Sequence, residues 1–236
     1  MKKGNVITIS DVAEALGVSN TTVSRAISGK GRIGDATRQK FLAYIEEHDY
    51  KPNVIARGLA QSKTFNLCVV MPEDYALVDL PFFQEVITGI QEIAGMNEYD
   101  ILLCICQEND ITSLERIVRN RKVDGIVLLR TFLKDPQIEL LLEKKIPFVT
   151  TGSTTYRKVK QVDNDQQSAC RELTSILLMR QMKHIALLGG SESFVVNQNR
   201  YKGYQQAYQE AGREVEETLV YRNLESCAFM DRAVEE

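Results

Sequence analysis

Apolar residues near the start of the chain recur every three or four positions, which is the spacing of short amphipathic helices. A first helix is predicted over 11–16, with Ser10 as its N-cap and Gly17 as its stop. A second helix follows Ser19, and a third is predicted over 35–48. The shared core of the three helices is expected to contain Val12, Ala13, Leu16, Val23, Ala26, Ile27, Phe41, Leu42 and Ile45. Such a bundle is large enough to form a small domain.

The outer side of the second predicted helix carries short polar side chains and one cation. Asn20, Thr21, Ser24 and Arg25 lie on that side. Side chains of this kind can reach base edges in the DNA major groove, where an amide suits adenine and a guanidinium suits guanine. Hydroxyl groups and helix N-termini bind phosphates. The first two helices therefore predict a helix-turn-helix that binds DNA.

From residue 66 the pattern changes to short apolar runs that alternate with amphipathic helices, as in parallel βαβ units. Buried strands are predicted at 67–71, 101–105, 125–129 and 147–150, and helices at 82–95, 111–121 and 136–143. A second series follows Asp163, with a helix to Met182, a strand over 184–188, a helix over 199–212, a strand over 219–221 and a last helix over 225–236. The pattern predicts an α/β core made of two such series.

Charge is unevenly divided between the helical head and the α/β core. Residues 1–63 carry ten Lys and Arg against six Asp and Glu, whereas the remaining residues carry nineteen against twenty-six. A basic head on an acidic body fits a head that approaches phosphate. Because no run of eighteen apolar residues occurs and no apolar segment follows the first lysines, we expect a cytoplasmic protein without a membrane partner.

The chain offers few groups for catalysis or metal binding. Its five cysteines lack the C-x-x-C spacing of metal sites and are expected to be buried thiols. The two histidines, His48 and His184, are not arranged as the base of a nucleophile. The stretch 29–34 fits G-x-G-x-x-G, but it joins two helices and does not follow a strand. We therefore expect no enzyme activity, no cofactor and no metal.

A dense motif runs through the head. It reads Thr8-Ile-x-Asp-Val-Ala-x-x-x-Gly-Val-Ser-x-x-Thr-Val-Ser-Arg25 and continues through Ile33, Thr37, Arg38, Tyr50-Lys-Pro-Asn53 and Ala56-Arg-Gly-Leu59. This pattern resembles the head of the LacI (lactose-repressor) family of bacterial transcriptional regulators. The resemblance implies that the second helix enters the major groove. It also implies base contacts by Asn20, Thr21 and Arg25 and phosphate contacts by Thr8, Ser19 and Thr22.

The segment after the head is expected to be a hinge helix. Asn53 caps an eight-residue segment that contains Gly58, and a helix this short is marginal by itself. A helix that forms only on binding can couple DNA binding to another event. The resemblance implies that Leu59, with Ala56 on the same side, inserts into the minor groove at the centre of the operator.

For the remainder, the resemblance implies a type I periplasmic-binding-protein-like core with an effector in the cleft between two lobes. The implied effector-binding residues are Phe82, Asp163, Phe194, Val196 and Arg200. We expect a head over 1–52, a hinge over 53–63, a first lobe over 64–162 and a partial second lobe over 163–236. The second lobe is expected to be incomplete, since a whole one needs roughly a hundred residues more.

The predicted function is that of a transcriptional regulator, most simply a repressor, which binds a palindromic operator as a homodimer. A small-molecule effector, a sugar or related metabolite, is expected to control it. Two alternatives stay open at this point. One is an α/β enzyme that processes a sugar or nucleoside and carries a fused helical head. The other is a fragment that binds DNA only.

Overall fold

The computed structural model describes residues 7–28, 34–48, 50, 54–73 and 81–224. Two compact units make up the chain, Met1–Thr64 and Phe65–Glu236. In the described segments, no helix has both the length and the apolar character needed to cross a membrane. The last predicted helix, over 225–236, and Asn53 lie outside the described residues.

Four helices lie in the described residues of the first unit. They are α1 (Ile9–Ala15), α2 (Asn20–Ser28), α3 (Asp35–Glu47) and α4 (Val54–Gln61). The core of the head consists of Val12, Ala13, Val23, Ala26, Phe41 and Tyr50. Leu42 was predicted in this core, but it is 40% exposed. The prediction was wrong because Phe41, Tyr44 and Ile45 form the inner face of α3, and Leu42 lies on its flank.

The first helix begins two residues earlier than the sequence predicted. Its N-cap is Thr8, not Ser10, and a capping box closes the helix. The Thr8 hydroxyl accepts from the backbone N–H of Asp11, while the Asp11 carboxylate accepts from the backbone N–H of Thr8 at 2.7 Å. Ser10 cannot form such a box, because the residue three positions later is Ala13.

The second unit begins with a five-stranded parallel sheet in the order β2-β1-β3-β4-β5. The strands are β1 (Asn66–Pro72), β2 (Asp100–Cys106), β3 (Gly125–Leu128), β4 (Phe148–Thr151) and β5 (Lys160–Val162), and the helices are α5 (Pro81–Met96), α6 (Thr112–Arg119) and α7 (Pro136–Glu143). Helices α6 and α7 pack on one face of the sheet and α5 on the other. This arrangement confirms the predicted α/β class and the parallel βαβ connections.

Two strands of this sheet depart from the prediction. The sequence predicted β2 as a buried strand, but Leu103 and Ile105 are about half exposed because β2 forms the sheet edge. The sequence pattern missed β5, all three residues of which are exposed. It lacks the apolar run that marks a buried strand, and its pairing with β4 defines it.

The second lobe contains a smaller, two-stranded parallel sheet. Its elements are α8 (Gln166–Met179), β6 (Leu187–Leu188), α9 (Val195–Glu210) and β7 (Val220–Tyr221), with a short 3₁₀ helix at Glu217–Leu219. Strand β6 is shorter than predicted because it pairs with only two residues of β7 in the described chain. Helix α9 starts four residues earlier than predicted because Val195 is buried and its N–H donates to the Thr131 carbonyl at 3.2 Å.

Three of the predicted buried thiols lie together in the core of the first lobe. Cys68, Cys104 and Cys106 are each less than 5% exposed, and the Cys104 and Cys106 sulfur atoms are 3.7 Å apart. The hydrogen bond that it shares with the Cys104 side chain and the burial of the site raise the pKa of the Cys106 thiol, which is therefore protonated. The three side chains serve as small apolar core groups.

The α8–α9 crossing depends on one glycine. A Cβ atom at Gly203 would overlap the Gln167 carbonyl oxygen and lie 2.9 Å from the Arg171 backbone nitrogen. Both are backbone atoms of α8, so no side-chain rotation could relieve the contact. This close approach explains why glycine follows Arg200 by three positions.

We expect Gly203→Ala to lower the free energy of unfolding by about 1–3 kcal/mol, since the two helices must separate to admit the methyl group. Chemical denaturation followed by circular dichroism measures this loss. Gly89→Ala is the matched control, because a Cβ at Gly89, also within a helix, meets no atom within 4 Å. It should leave stability unchanged or raise it. Equal behaviour of the two variants would contradict the packing argument.

Candidate nucleic-acid interface and ligand cleft

The exposed side of α2 brings together the residues predicted to contact bases. Asn20, Thr21 and Arg25 are exposed, whereas Val23 and Ala26 on the other side are buried in the head. The Asn20 amide donates to the Ser10 hydroxyl of α1 at 3.2 Å, which fixes α2 against α1. The core thus holds the polar face of α2 outward as one surface.

The residues predicted to contact phosphate lie at the starts of the two helices. Ser19 accepts from the backbone N–H of Thr22 at 3.2 Å, and the two hydroxyl oxygens are 3.0 Å apart. Ser19 therefore caps the start of α2. Thr8 caps α1, and its backbone and hydroxyl hydrogen bonds lower the pKa of the Asp11 carboxyl from its ordinary value. Helix starts of this kind favour an anion.

Among the described side chains of the linker helix, Leu59 is apolar and exposed to solvent. Leu59 is 85% exposed on α4, the helix predicted over the same eight residues. Ala56 belongs to α4, although its side chain lies outside the described part of the molecule. An exposed leucine adds nothing to the core of the protein, so it is available to an apolar partner.

The two lobes of the second unit meet at the carboxyl ends of their strands. Phe132, after β3, and Phe194, after β6, form an antiparallel bridge. The Leu133 N–H donates to the Ser193 carbonyl at 2.9 Å, and the two phenyl rings have centroids 5.3 Å apart. Ligands of open α/β folds bind at this edge of the sheet.

The predicted effector residues fall into two groups around this bridge. The aromatic group contains Phe82 and Phe194, linked through Arg130 and Phe83. The Arg130 guanidinium lies 4.2 Å from the Phe194 ring centroid and 5.3 Å from that of Phe83, whose ring meets Phe82 edge-on. Phe194 is only 3% exposed, so it contributes more to the junction than to an open surface. Phe82 is 53% exposed.

The polar group surrounds the start of the second lobe. The Asp163 carboxylate accepts from the backbone N–H groups of Ser153 and Asn164, each at 2.8 Å. The Asn199 amide donates to the Ser153 hydroxyl at 2.8 Å, and the neighbouring Arg200 donates to Gln166 at 3.0 Å. Val196, in the first turn of α9, is half-buried. Hydroxyl, amide and guanidinium groups thus line this side of the lobe junction.

A salt bridge closes the carboxyl end of the small sheet. The Arg222 guanidinium lies 2.6 Å from a Glu192 carboxylate oxygen and 3.9 Å from the Tyr201 ring centroid. Together with the Asn223 amide, Arg222 lowers the pKa of the Glu192 carboxyl. This contact holds the loop that carries Ser193 and Phe194 to the junction.

Residues 130–135 were missed as functional candidates. They follow β3 and belong to no sequence motif. Their position at the carboxyl end of that strand is the signal that could have identified them. Asp135 is fully buried and organises this loop, since its carboxylate accepts from the backbone N–H groups of Phe132, Gln137 and Ile138. Burial raises the pKa of this carboxyl, and the three N–H groups oppose that effect.

Comparison with known proteins assigns both units to one family. The sequence model described as "Periplasmic binding proteins and sugar binding domain of LacI family" matches residues 64–236. The model described as "Bacterial regulatory proteins, lacI family" matches residues 8–53. The chain belongs to the LacI family. It is therefore a DNA-binding transcriptional regulator of this family and not an enzyme.

Individual LacI-family proteins show the extent of the likeness. The HTH-type transcriptional regulator MalR of Streptococcus pneumoniae is 32% identical over 98% of this chain and 69% of the relative. The transcriptional regulator CelR–cellobiose complex is 28% identical, with a TM-score of 0.59 over 92% of this chain and 65% of that chain. The lac repressor dimer bound to operator has a TM-score of 0.71 at 21% identity, over 92% of this chain and 64% of that chain. At this identity the likeness supports the fold alone.

We expect Asp135→Asn to lower the free energy of unfolding of this LacI-family core by roughly 1–3 kcal/mol, because an amide NH₂ then faces backbone N–H donors. Thermal and urea unfolding measure the loss. Asp165→Asn is the control, since Asp165 caps α8 through one N–H, that of Ser168, and asparagine caps helices as well as aspartate. A loss of similar size in both variants would count against a special role for Asp135.

Proposed function

We propose that this chain acts in the cytoplasm as an effector-controlled repressor that binds a palindromic operator as a homodimer. The observation that carries the proposal is the outward polar face of α2, Asn20, Thr21 and Arg25, on a head with its own core. In the proposal these three side chains contact base edges in the major groove. Thr8, Ser19 and Thr22 bind the flanking phosphates through hydroxyls and helix starts.

The linker supplies the second part of the proposed DNA contact. Leu59 inserts between base steps of the minor groove, with Ala56 beside it and Asn53 as the helix cap. Its 85% exposure supports this role, because the apolar side chain has no place in the protein's own core. An apolar wedge unstacks the bases and bends the duplex, which brings more protein surface into contact.

A second copy of the chain is the proposed partner of the first lobe. A palindrome presents two half-sites, so two heads must be held together. The outer face of α5 and the edge strand β2 expose Ile93, Met96, Leu103 and Ile105, which are between 51% and 70% exposed. A shared apolar interface there would cover these side chains and the free edge of the sheet.

The proposed effector is a sugar or related metabolite held between the lobes. Phe82 offers an exposed ring, while Asp163 and Arg200 offer a carboxylate and a guanidinium beside the Ser153 and Asn199 polar groups. Phe194 and Val196 form the apolar wall at the start of α9. The solved structure of a relative, the transcriptional regulator CelR–cellobiose complex, supports this class of ligand. Binding shifts the balance between lobe arrangements and thereby the packing of the linker helices.

We expect Arg25→Ala to reduce discrimination between operator and random DNA by roughly 1–3 kcal/mol, because the guanidinium is a base-contacting group. The operator is first selected from a randomised duplex pool, and both affinities are then titrated at one salt concentration. Arg38→Ala is the control, since it removes an exposed cation of α3 and should weaken both complexes alike. Unchanged discrimination in Arg25→Ala would exclude α2 as the base-contacting helix.

We expect Leu59→Ala to weaken operator binding by about tenfold, equal to about 1.4 kcal/mol, and to reduce the bend of the duplex. Gel mobility of circularly permuted operator fragments measures the bend. Since Leu59 is exposed, its loss should leave the melting temperature unchanged. Gln61→Ala, an exposed change on the same helix, serves as the control. An undiminished bend in Leu59→Ala would contradict the wedge.

A further inference from the structure

Exposed cations cluster at one edge of the first lobe, at the carboxyl ends of α6 and α7. The cluster contains Arg116, Arg119, Arg121, Lys122, Lys144 and Lys145. Its centre is the turn after α6, and we call Arg119, Arg121 and Lys122 the basic turn. The second unit as a whole carries more acidic than basic residues, so a cluster of cations is unusual within it.

The basic turn lies where the chain enters the core from the linker. Helix α6 joins two parallel strands, so its carboxyl end returns to the amino edge of the sheet. The Asn66 amide, at the start of β1, donates to the Lys122 carbonyl at 3.3 Å. The Asp124 N–H donates to the Asn66 carbonyl at 2.8 Å, and the Asp124 carboxylate accepts from the Phe65 N–H at 3.0 Å. The turn is thus hydrogen-bonded to the first residues after the linker.

The three cations of the basic turn form no salt bridge within the described part of the chain. By contrast, Lys144 pairs with Glu143 at 2.7 Å. Glu98 and Asp100 lie beside β2, on the far side of β1 from the turn. Cations in the last helical turn stabilise the helix dipole, but Arg121 and Lys122 lie beyond the helix end.

Arg121 occupies a backbone position that favours glycine. Its φ angle is +48°, in the left-handed region, and it ends α6 in a Schellman motif. The Lys122 N–H donates to the Ile117 carbonyl and the Arg121 N–H to that of Val118. Glycine adopts this conformation without the Cβ strain that arginine bears. This position therefore allows a variant that loses charge without losing stability.

A short connection joins the linker helix to the strand to which the basic turn is hydrogen-bonded. Only four residues, 62–65, lie between the end of α4 at Gln61 and Asn66, so the chain between them spans at most about 18 Å. Charges interact over about 8–10 Å at physiological salt. We propose that Arg119, Arg121 and Lys122 bind phosphates of the duplex that the head and linker hold. This proposal rests on the proposed function, since it requires that duplex.

The test measures how the affinity of the full chain for a labelled 30-base-pair random-sequence duplex depends on salt. Each lost phosphate contact makes the slope of log affinity against log salt shallower by about 0.9. We expect the slope to fall by about 1 in Arg121→Gly and by about 2–3 in the combined Arg119→Ala, Arg121→Gly, Lys122→Ala variant. The thermal midpoint of Arg121→Gly should equal or exceed that of the parent chain.

Two controls separate a contact from a general charge effect. Arg121→Lys keeps the charge and should keep the slope, while Lys202→Ala removes an exposed charge of the second lobe and should leave the slope unchanged. An unchanged slope in the combined variant, or an equal fall in Lys202→Ala, overturns the inference. If discrimination in Arg25→Ala still falls, the proposed function survives that result. A parent chain that binds no duplex overturns both proposals.

Discussion

The antiparallel bridge between Phe132 and Phe194 is the constraint on which the core depends. It joins the two lobes together with the chain crossing after β5, the stacking of Arg130 on the Phe194 ring and polar contacts such as Asn199 to Ser153. One side of the bridge is held by Asp135, whose carboxylate binds the Phe132 N–H, and the other by the loop that Glu192 and Arg222 close. Asp135 and the Glu192–Arg222 pair therefore position the two loops that carry Phe132 and Phe194 to the cleft.

The sheet of the first lobe separates two kinds of surface. Its carboxyl edge carries the lobe junction, where hydrogen-bonding groups such as Asp163 and Asn199 lie beside phenyl rings suited to a small ligand. Its amino edge carries the chain entry and the basic turn. A seven-residue strand such as β1 spans about 23 Å between them. In the proposed function an effector therefore acts on DNA binding by moving the whole first lobe, since no side chain reaches from one edge to the other.

Regular patterns of the chain predicted most elements, and tertiary contacts decided the rest. Helix α7 and four of the strands followed from the apolar pattern, and helix α4 followed from the cap predicted at Asn53. Strand β5 could not be predicted because its exposed residues, Lys160 to Val162, take their conformation from β4. The early start of α9 depends on the Val195 N–H finding a carbonyl in the other lobe. For the candidate site, the sequence predicted motif residues such as Asp163 and Arg200, but the junction residues Arg130 and Phe132 belong to no motif.

The linker helix and the basic turn provide two different kinds of DNA affinity in the proposed scheme. An eight-residue helix that contains Gly58 gains little from its own hydrogen bonds, so its formation depends on an external apolar partner for Leu59. That contact is short-ranged and sensitive to base-step deformability. Phosphate contacts by the basic turn act over a Debye length and at any sequence. In the proposed scheme an effector that unfolds the linker helix releases the first kind of contact, while the second retains the protein on DNA.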